Sequence, residues 1–521
     1  MVSFNKVTLL SFVSAACTNA ATVNYNWTIA AHNIALDGFT RSAALINNVY
    51  PGLLLKANKG VSVNIHVDNQ LNDPSMRKST SIVRETNISF RNDGPSFVTQ
   101  CPIAQSDITV ILLKIFLVPS GKYQYHSHLS TQYVDGIHGP LVIYDPLDPH
   151  RLSCGVNNDN TVITLTDWYH TPALISTPEP IPDSGLINSA GRYAGGPTVP
   201  RTRINVLHGL RYRFRIVSVS AEGFFDFAID NHTLTIIESD GISTNPYTVD
   251  SIAVLPGQRY SAIVSIDSFI QMLILTLYDI RSQQIKLLIT TVINGTDTYA
   301  VLHYTGASNG EPTTPQPVTL PAGGIAFAEY QLSPLVNPGA PGGSTPPDVA
   351  LNLTFGIGSA NGDVINGVQY QSPTVPTLLN ILANGATNAS NFGTNENTFV
   401  LPYNATVEVS FIGGAGHAFH LHGHAFDVIQ SASGGGPNYV NPPRRDVVAS
   451  GGTVANPVRI RFRTDNPGPW FVHCHIDWHL EAGLAAVFAE DPNGNGPLSI
   501  QPNAQWQALC NTYNALDPAD K

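Results

Sequence analysis

Short runs rich in β-branched and other apolar residues alternate with polar turn clusters along most of the chain. Val61–Val67, Thr161–Thr166, Tyr212–Ser218, Leu234–Ile237, Tyr260–Ile266 and Val458–Phe462 are the clearest runs. Proline and glycine punctuate them at spacings typical of β-sandwiches, and helical periodicity is scarce, so the pattern predicts an all-β protein. The turn-rich Tyr144-Asp145-Pro146-Leu147-Asp148-Pro149 predicts one domain boundary. The Pro/Gly-rich stretch Glu311–Pro347, read as a linker wrapped on the surface, predicts a second. The expected organisation is a leader over 1–20 and three sandwiches over 21–148, 149–320 and 321–521. No internal repeat is legible.

The leader carries a compartment. Lys6, the apolar run Val7–Ala16 and then Thr18-Asn19-Ala20-Ala21 have the layout of a secretory signal peptide cut near Ala20. Beyond it the longest near-apolar stretches are Ile108–Val118 and Phe269–Leu277. Both fall short of the ~18 residues of a spanning helix, so no membrane partner is expected. Seven Asn-x-Ser/Thr sequons, at Asn26, Asn87, Asn231, Asn294, Asn352, Asn388 and Asn404, suit an extracellular glycoprotein.

Composition narrows the class without supplying chemistry. Only 12% of the 521 residues are charged, with 43 glycines and 38 prolines; an ordinary soluble domain is about 25% charged. The net charge of −11 argues against a general nucleic-acid binder, which needs a basic face.

Cysteine and histidine supply the chemistry. Cys17 leaves with the leader, and the other four, Cys101, Cys154, Cys474 and Cys510, allow two pairs. Cys474, inside His473-Cys474-His475, favours a metal instead. Cys101 and Cys510 then become the best candidates for one disulfide, and Cys154 has no obvious partner. Nine of the 17 histidines crowd into His126-Ser127-His128, His417–His424 and His473–His479. Isolated histidines such as His32 and His232 read as ordinary hydrogen-bonded residues, but His-x-His pairs in three segments do not. Residues two apart on a strand share a face, so each pair can offer two imidazoles to one site. Cys474 faces the other way from His473 and His475, which reaches two metal sites from one strand. One thiolate with two imidazoles and a weak or absent axial ligand is a blue-copper donor set. Structural zinc, the rival, is normally closed by four tetrahedral ligands and fits these pairs poorly.

With these motifs the chain resembles the fungal laccases, within the multicopper oxidases. The segments that carry the likeness are Tyr125–Tyr133, His417–Phe426 and Gly468–Phe471 through Glu481-Ala482-Gly483, in that order. The resemblance implies three consecutive cupredoxin-like Greek-key domains, the second on the substrate side and the third holding type 1 copper. It implies one-electron oxidation of phenols and aromatic amines, with lignin degradation as an expected role, coupled to four-electron reduction of O2 to water. Small phenols and O2 are the expected partners, and a secreted monomer the expected state. Copper is the expected cofactor, about four ions as type 1, type 2 and binuclear type 3 centres. Type 1 copper would be held by His417, Cys474 and His479, with Leu484 as an axial non-ligand. His420 would serve type 2 copper, and His126, His128, His422, His473 and His475 the type 3 pair. His424 is not a ligand in the family. Glu222 matches a carboxylate that accepts the phenolic proton, and Asp93 an acid near type 2 copper that delivers protons to reduced oxygen. Their rival readings are a solvated surface charge for each and, for Asp93, an Asp-Gly turn.

The likeness breaks at one motif. After Ser79-Thr80-Ser81-Ile82 the family has His-Trp-His-Gly; here Val83–Asn92 intervenes without a histidine. His66, the nearest upstream, lies where the family has no ligand. Type 2 copper would keep one protein ligand and one type 3 copper would lose an imidazole, so an impaired trinuclear centre is expected. The alternatives are a non-catalytic type 1 copper-binding paralogue, or a mis-spliced reading of a laccase gene. The unfamiliar stretch Phe269–Thr291 favours mis-splicing. Val134 and Ala221, standing at both ends of the family's second disulfide, favour coherent drift.

Overall fold

The structure is a computed structural model that describes residues 21–84, 93–114, 121–266, 283–289, 298–312, 324–359, 362–414, 416–494 and 504–521. The expected leader lies outside the described residues, as do 85–92 of the unfamiliar motif segment and 269–282 and 290–291 of the second unfamiliar stretch.

Each of the six runs singled out in the sequence is a strand, with ends moved by one or two residues. Ser62–Asn69 shows why: Val63, Ile65 and Val67 are fully buried while the intervening side chains are only partly covered. That is the period-two pattern of a sheet with one face on a core.

Six sheets make three two-layer sandwiches. In the first, the sheet ordered Arg41–Ile46, Thr22–Ile34, Ser62–Asn69, Ile108–Lys114 faces the sheet ordered Leu55–Asn58, His138–Tyr144, Gly121–His126, Val83–Arg84. The second packs a seven-stranded sheet on a five-stranded one, with strands from Val162–Trp168 to Thr298–Tyr304. The third packs six strands on five, from Val349–Ser359 to Ala485–Glu490. Among the described residues no helix is long and apolar enough to cross a membrane.

Buried ion pairs hold the second sandwich to the third. Both guanidinium nitrogens of Arg259 donate to the Asp446 carboxylate, at 2.6 and 2.7 Å. Arg445 bridges Asp240 at 2.8 Å and Glu329 at 2.7 Å. Removing one partner of such a pair strands a buried charge, which costs about 3–5 kcal/mol. Glu329 belongs to the stretch expected to wrap the surface as a linker, and this bond pins it inside instead.

Cys101 and Cys510 form a disulfide across 409 residues, tying the first sandwich to the helix Ala504–Asn514. Cys154 is free and half-buried. Val134 and Ala221 are buried members of one apolar cluster that also holds Trp470 and Cys474. Both positions, to which the resemblance assigns a second bridge, are filled by apolar side chains.

Candidate metal centres

Strand pairing brings the first donor set together. Ala418–Leu421 runs antiparallel to Gly468–Cys474, with Phe419 opposite Cys474, so His417 at the strand entrance lies beside the cysteine. The chain then turns into the short helix Asp477–Glu481, which returns His479 to the same place. Cys474 Sγ is 3.7 Å from Nδ1 of both His417 and His479, and those two nitrogens are 2.9 Å apart. Burial pushes the Cys474 thiol far up, and burial together with His479 pushes His417 down to about 4. The His417 imidazole is therefore neutral and keeps its lone pair, while a cation between these donors would favour the thiolate. Leu484 is fully buried and closes this side. Its N–H donates to the His479 carbonyl at 2.9 Å, and its carbonyl accepts from the Cys474 N–H at 3.0 Å. It offers no side-chain donor, so the set remains one sulfur and two nitrogens, which fits type 1 copper.

The opposite face of the same strand builds a second set from the first and third sandwiches. His473 Nε2 lies 3.2 Å from His128 Nε2 and 3.1 Å from His422 Nε2, and all three donors fall within 4.8 Å of one another. Outer hydrogen bonds aim two of these rings. His473 Nδ1 is 2.8 Å from the Cys474 carbonyl, and His422 Nδ1 is 2.9 Å from Asp93 Oδ2. Carboxylate and carbonyl partners of this kind fix the tautomer that leaves Nε2 to a metal. Burial and the neighbouring imidazoles hold His128 and His473 well below the usual histidine range. Asp93 thus bears on His422, a residue the resemblance assigns to type 3 copper.

The remaining inner histidines make a thinner set. His126 and His475 have ring centres 5.6 Å apart, with His126 Nδ1 at 2.7 Å from the Ser127 carbonyl. His420 Nδ1 is 2.8 Å from the Asp446 carbonyl, and its ring centre is 5.8 Å from that of His473. Gly257 at φ +76° lets a second-sandwich loop touch His475; a Cβ there would lie 2.4 Å from the ring. Among the described residues only two groups of three His, Cys, Asp or Glu donors converge: His417–Cys474–His479 and His128–His422–His473.

The missing motif has a structural address. Val83 pairs directly with His126 in the sheet and is fully buried. Directly paired residues share a face, so Val83 puts methyl groups on the face where His126 stands. The residues present fit one type 1 copper and one three-imidazole position; they do not fit a complete set of three inner coppers.

On the substrate side, Glu179 Oε1 lies 2.6 Å from His479 Nε2 and covers that edge of the ring. Beside it, Asp167 accepts the backbone N–H groups of Ala221, Glu222 and Gly223 at 2.7, 2.7 and 2.8 Å, fixing the loop that carries Glu222. The Asp477 N–H donates to the Ala221 carbonyl at 2.9 Å, joining that loop to the helix of His479. Burial, then Asp167 and Glu179, push Glu222 up to about 7. Sequence reasoning missed Glu179 and Asp167. Asp167 did leave a signal, a lone charge inside the apolar strand Val162–Trp168; Glu179 left none.

Two neighbouring features complete the surroundings. His424 is buried with Nε2 3.0 Å from Glu490; burial opposes its charge, but Glu490 outweighs it and raises the imidazole. A cavity of about 370 Å³ reaches His128 past Phe97, Tyr370 and Glu481.

Models of the multicopper oxidases match three segments of the chain, 28–148, 159–307 and 370–494. Laccase-4 of Thanatephorus cucumeris is 48% identical over 510 residues, covering 92% of each chain. Laccase-4 of Trametes villosa is 44% identical over 513 residues, covering 95% of this chain and 94% of its own. Among solved structures, the laccase from Botrytis aclada is 29% identical with a TM-score of 0.79, covering 96% of this chain and 93% of its own. Fet3p, a multicopper oxidase that functions in iron import, is 26% identical with a TM-score of 0.78, covering 95% of each. Paired donor sets on two faces of one strand, three sandwiches and these relatives agree: the chain belongs to the multicopper oxidase family, on its laccase branch.

Proposed function

We propose that the protein is a secreted laccase-type multicopper oxidase whose substrate side is complete and whose oxygen-reducing side is short of imidazoles. The observation that carries this reading is the His417–Cys474–His479 triad, whose Cys474 is bonded along the chain to the inner histidines His473 and His475. Copper when bound supplies the redox chemistry, taking single electrons from phenols or aromatic amines and reducing O2 to water with four. His417, Cys474 and His479 would hold type 1 copper, and the buried Leu484 beside them offers no side-chain donor. His126, His128, His420, His422, His473 and His475 are the residues available to the inner coppers.

The protein's own groups handle binding and protons. Glu179 holds the outer edge of His479, so a phenol oxygen reaching that nitrogen must displace or share the carboxylate. Glu222, on the loop braced by Asp167, accepts the phenolic proton as the ring loses its electron. Asp93 orients His422. Domain limits at 148/149 and 320/321 belong to the same reading, in which the chain acts as a monomer without a membrane or nucleic-acid partner. Five sequon asparagines are described, Asn26, Asn231, Asn352, Asn388 and Asn404, and all are exposed, which supports export and glycosylation.

Copper loading of the purified chain tests the reading. An intense blue colour is expected, abolished in Cys474→Ser; a colourless copper-loaded protein sinks it. The second reading, a copper-binding paralogue without oxygen reduction, is favoured by Val83 beside His126. Oxygen uptake on a phenol separates the two.

A further inference from the structure

We propose that the inner centre of this chain is mononuclear: it takes one copper ion, at His128, His422 and His473, in place of three. The inference rests on the laccase-type reading only for the identity of the metal.

The three residues form a finished site. Their Nε2 atoms converge within bonding reach of one ion, and Asp93 and the Cys474 carbonyl fix two of the rings from outside. All three side chains are buried, and the cavity that reaches His128 gives a path for entry. Copper(II) with three imidazoles and an open position is an ordinary stable arrangement.

The other half is closed by the protein itself. Gln124 is fully buried, two residues before His126 on the same strand and therefore on the same face. Its side-chain amide nitrogen sits 3.2 Å from His475 Nε2, the atom that would otherwise bind metal. Its carbonyl Oε1 is buried without a hydrogen-bond partner. An amide that leaves its own acceptor unsatisfied in order to hold His475 makes a second ion there compete with an existing contact. Val83 adds methyls on the His126 face, and Glu85–Asn92 contains neither histidine nor cysteine. His420, with its ring centre 5.8 Å from that of His473, belongs to neither converging group of three among the described residues.

The test is copper per chain together with electron spin. The full chain is loaded with copper, freed of loosely bound metal, and its total copper and integrated spin signal are measured. About two ions are expected, one blue and one ordinary, both visible in the spin signal because no coupled pair exists. His422→Ala is expected to lose the ordinary ion and keep the blue one. About four ions with half the copper spin-silent overturns the proposal, and so does a chain holding the blue ion alone. If His422→Ala fails to fold, the unmutated chain decides: two ions per chain with all of the copper spin-visible supports, and one ion per chain or half the copper spin-silent overturns. Loss of the blue ion itself would strike the laccase reading instead, so the two failures are distinct.

Discussion

Glu179 Oε1 meets His479 Nε2 at 2.6 Å, across 300 residues of sequence. The contact lies at the imidazole edge through which an electron would enter, and the carboxylate is about half exposed. Glu179→Ala frees that nitrogen and removes a negative charge from the mouth. KM for a neutral phenol is expected to fall and KM for a cationic aromatic amine to rise, each by roughly fivefold or less, the scale of a solvent-screened ion contact. The blue absorption should be unchanged. Steady-state kinetics on the two substrate types checks it; equal shifts in the same direction would refute the assignment.

A carboxylate accepts a proton only when ionised, and burial with Asp167 and Glu179 places that transition of Glu222 near 7. Below that pH the group is protonated and cannot accept; above it the carboxylate is free to do so. Phenol-driven reduction is therefore expected to fall as pH drops through about 7. A donor that loses an electron without a proton should show no such limb. Glu222→Gln should flatten the phenol profile while leaving the second donor alone. Stopped-flow traces over a pH series read both. A limb that survives in Glu222→Gln assigns the proton elsewhere.

Asp93 touches His422, not substrate. Asp93→Ala is expected to weaken copper retention at the inner site by about 10–100-fold, the usual cost of losing an outer partner of a ligating histidine. The blue ion, held by other residues, should be retained. Chelator titration followed at the blue band and by total copper separates the sites.

Removing the Cys101–Cys510 bridge by Cys510→Ser opens a loop of 409 residues. About 2–5 kcal/mol of stability should be lost, read as a lower Tm, with the blue colour unaltered at low temperature. An unchanged Tm would show that packing of Trp506 and Leu509 holds the terminal helix without the bridge.

What was legible in the sequence follows from how local each signal is. Strands such as Ser62–Asn69 announce themselves because burial alternates residue by residue. The metal ligands were readable for the same reason: His473, Cys474 and His475 are adjacent, and their alternation on a strand already implies two sites. Glu179 could not be read this way, because its partner is brought to it only by packing of the second sandwich on the third. Gln124 was hidden for another reason: a glutamine in a strand looks solvent-facing, and only its fully buried position beside His475 gives it meaning. Asp93 was noticed for its likeness to a proton donor, but its contact with His422 depends on two sandwiches meeting. The Glu311–Pro347 stretch looked like surface linker by composition, and one carboxylate, Glu329, anchors it to Arg445.

The most direct measurement is an oxygen-free titration of the copper-loaded chain with a simple phenol, followed at the blue absorption. If His417, Cys474 and His479 hold an electron-accepting copper behind Glu179 and Glu222, the colour should bleach in proportion to phenol added. Blue protein that phenol leaves unbleached at any pH from 5 to 8, a window spanning the Glu222 transition, would contradict the oxidase reading.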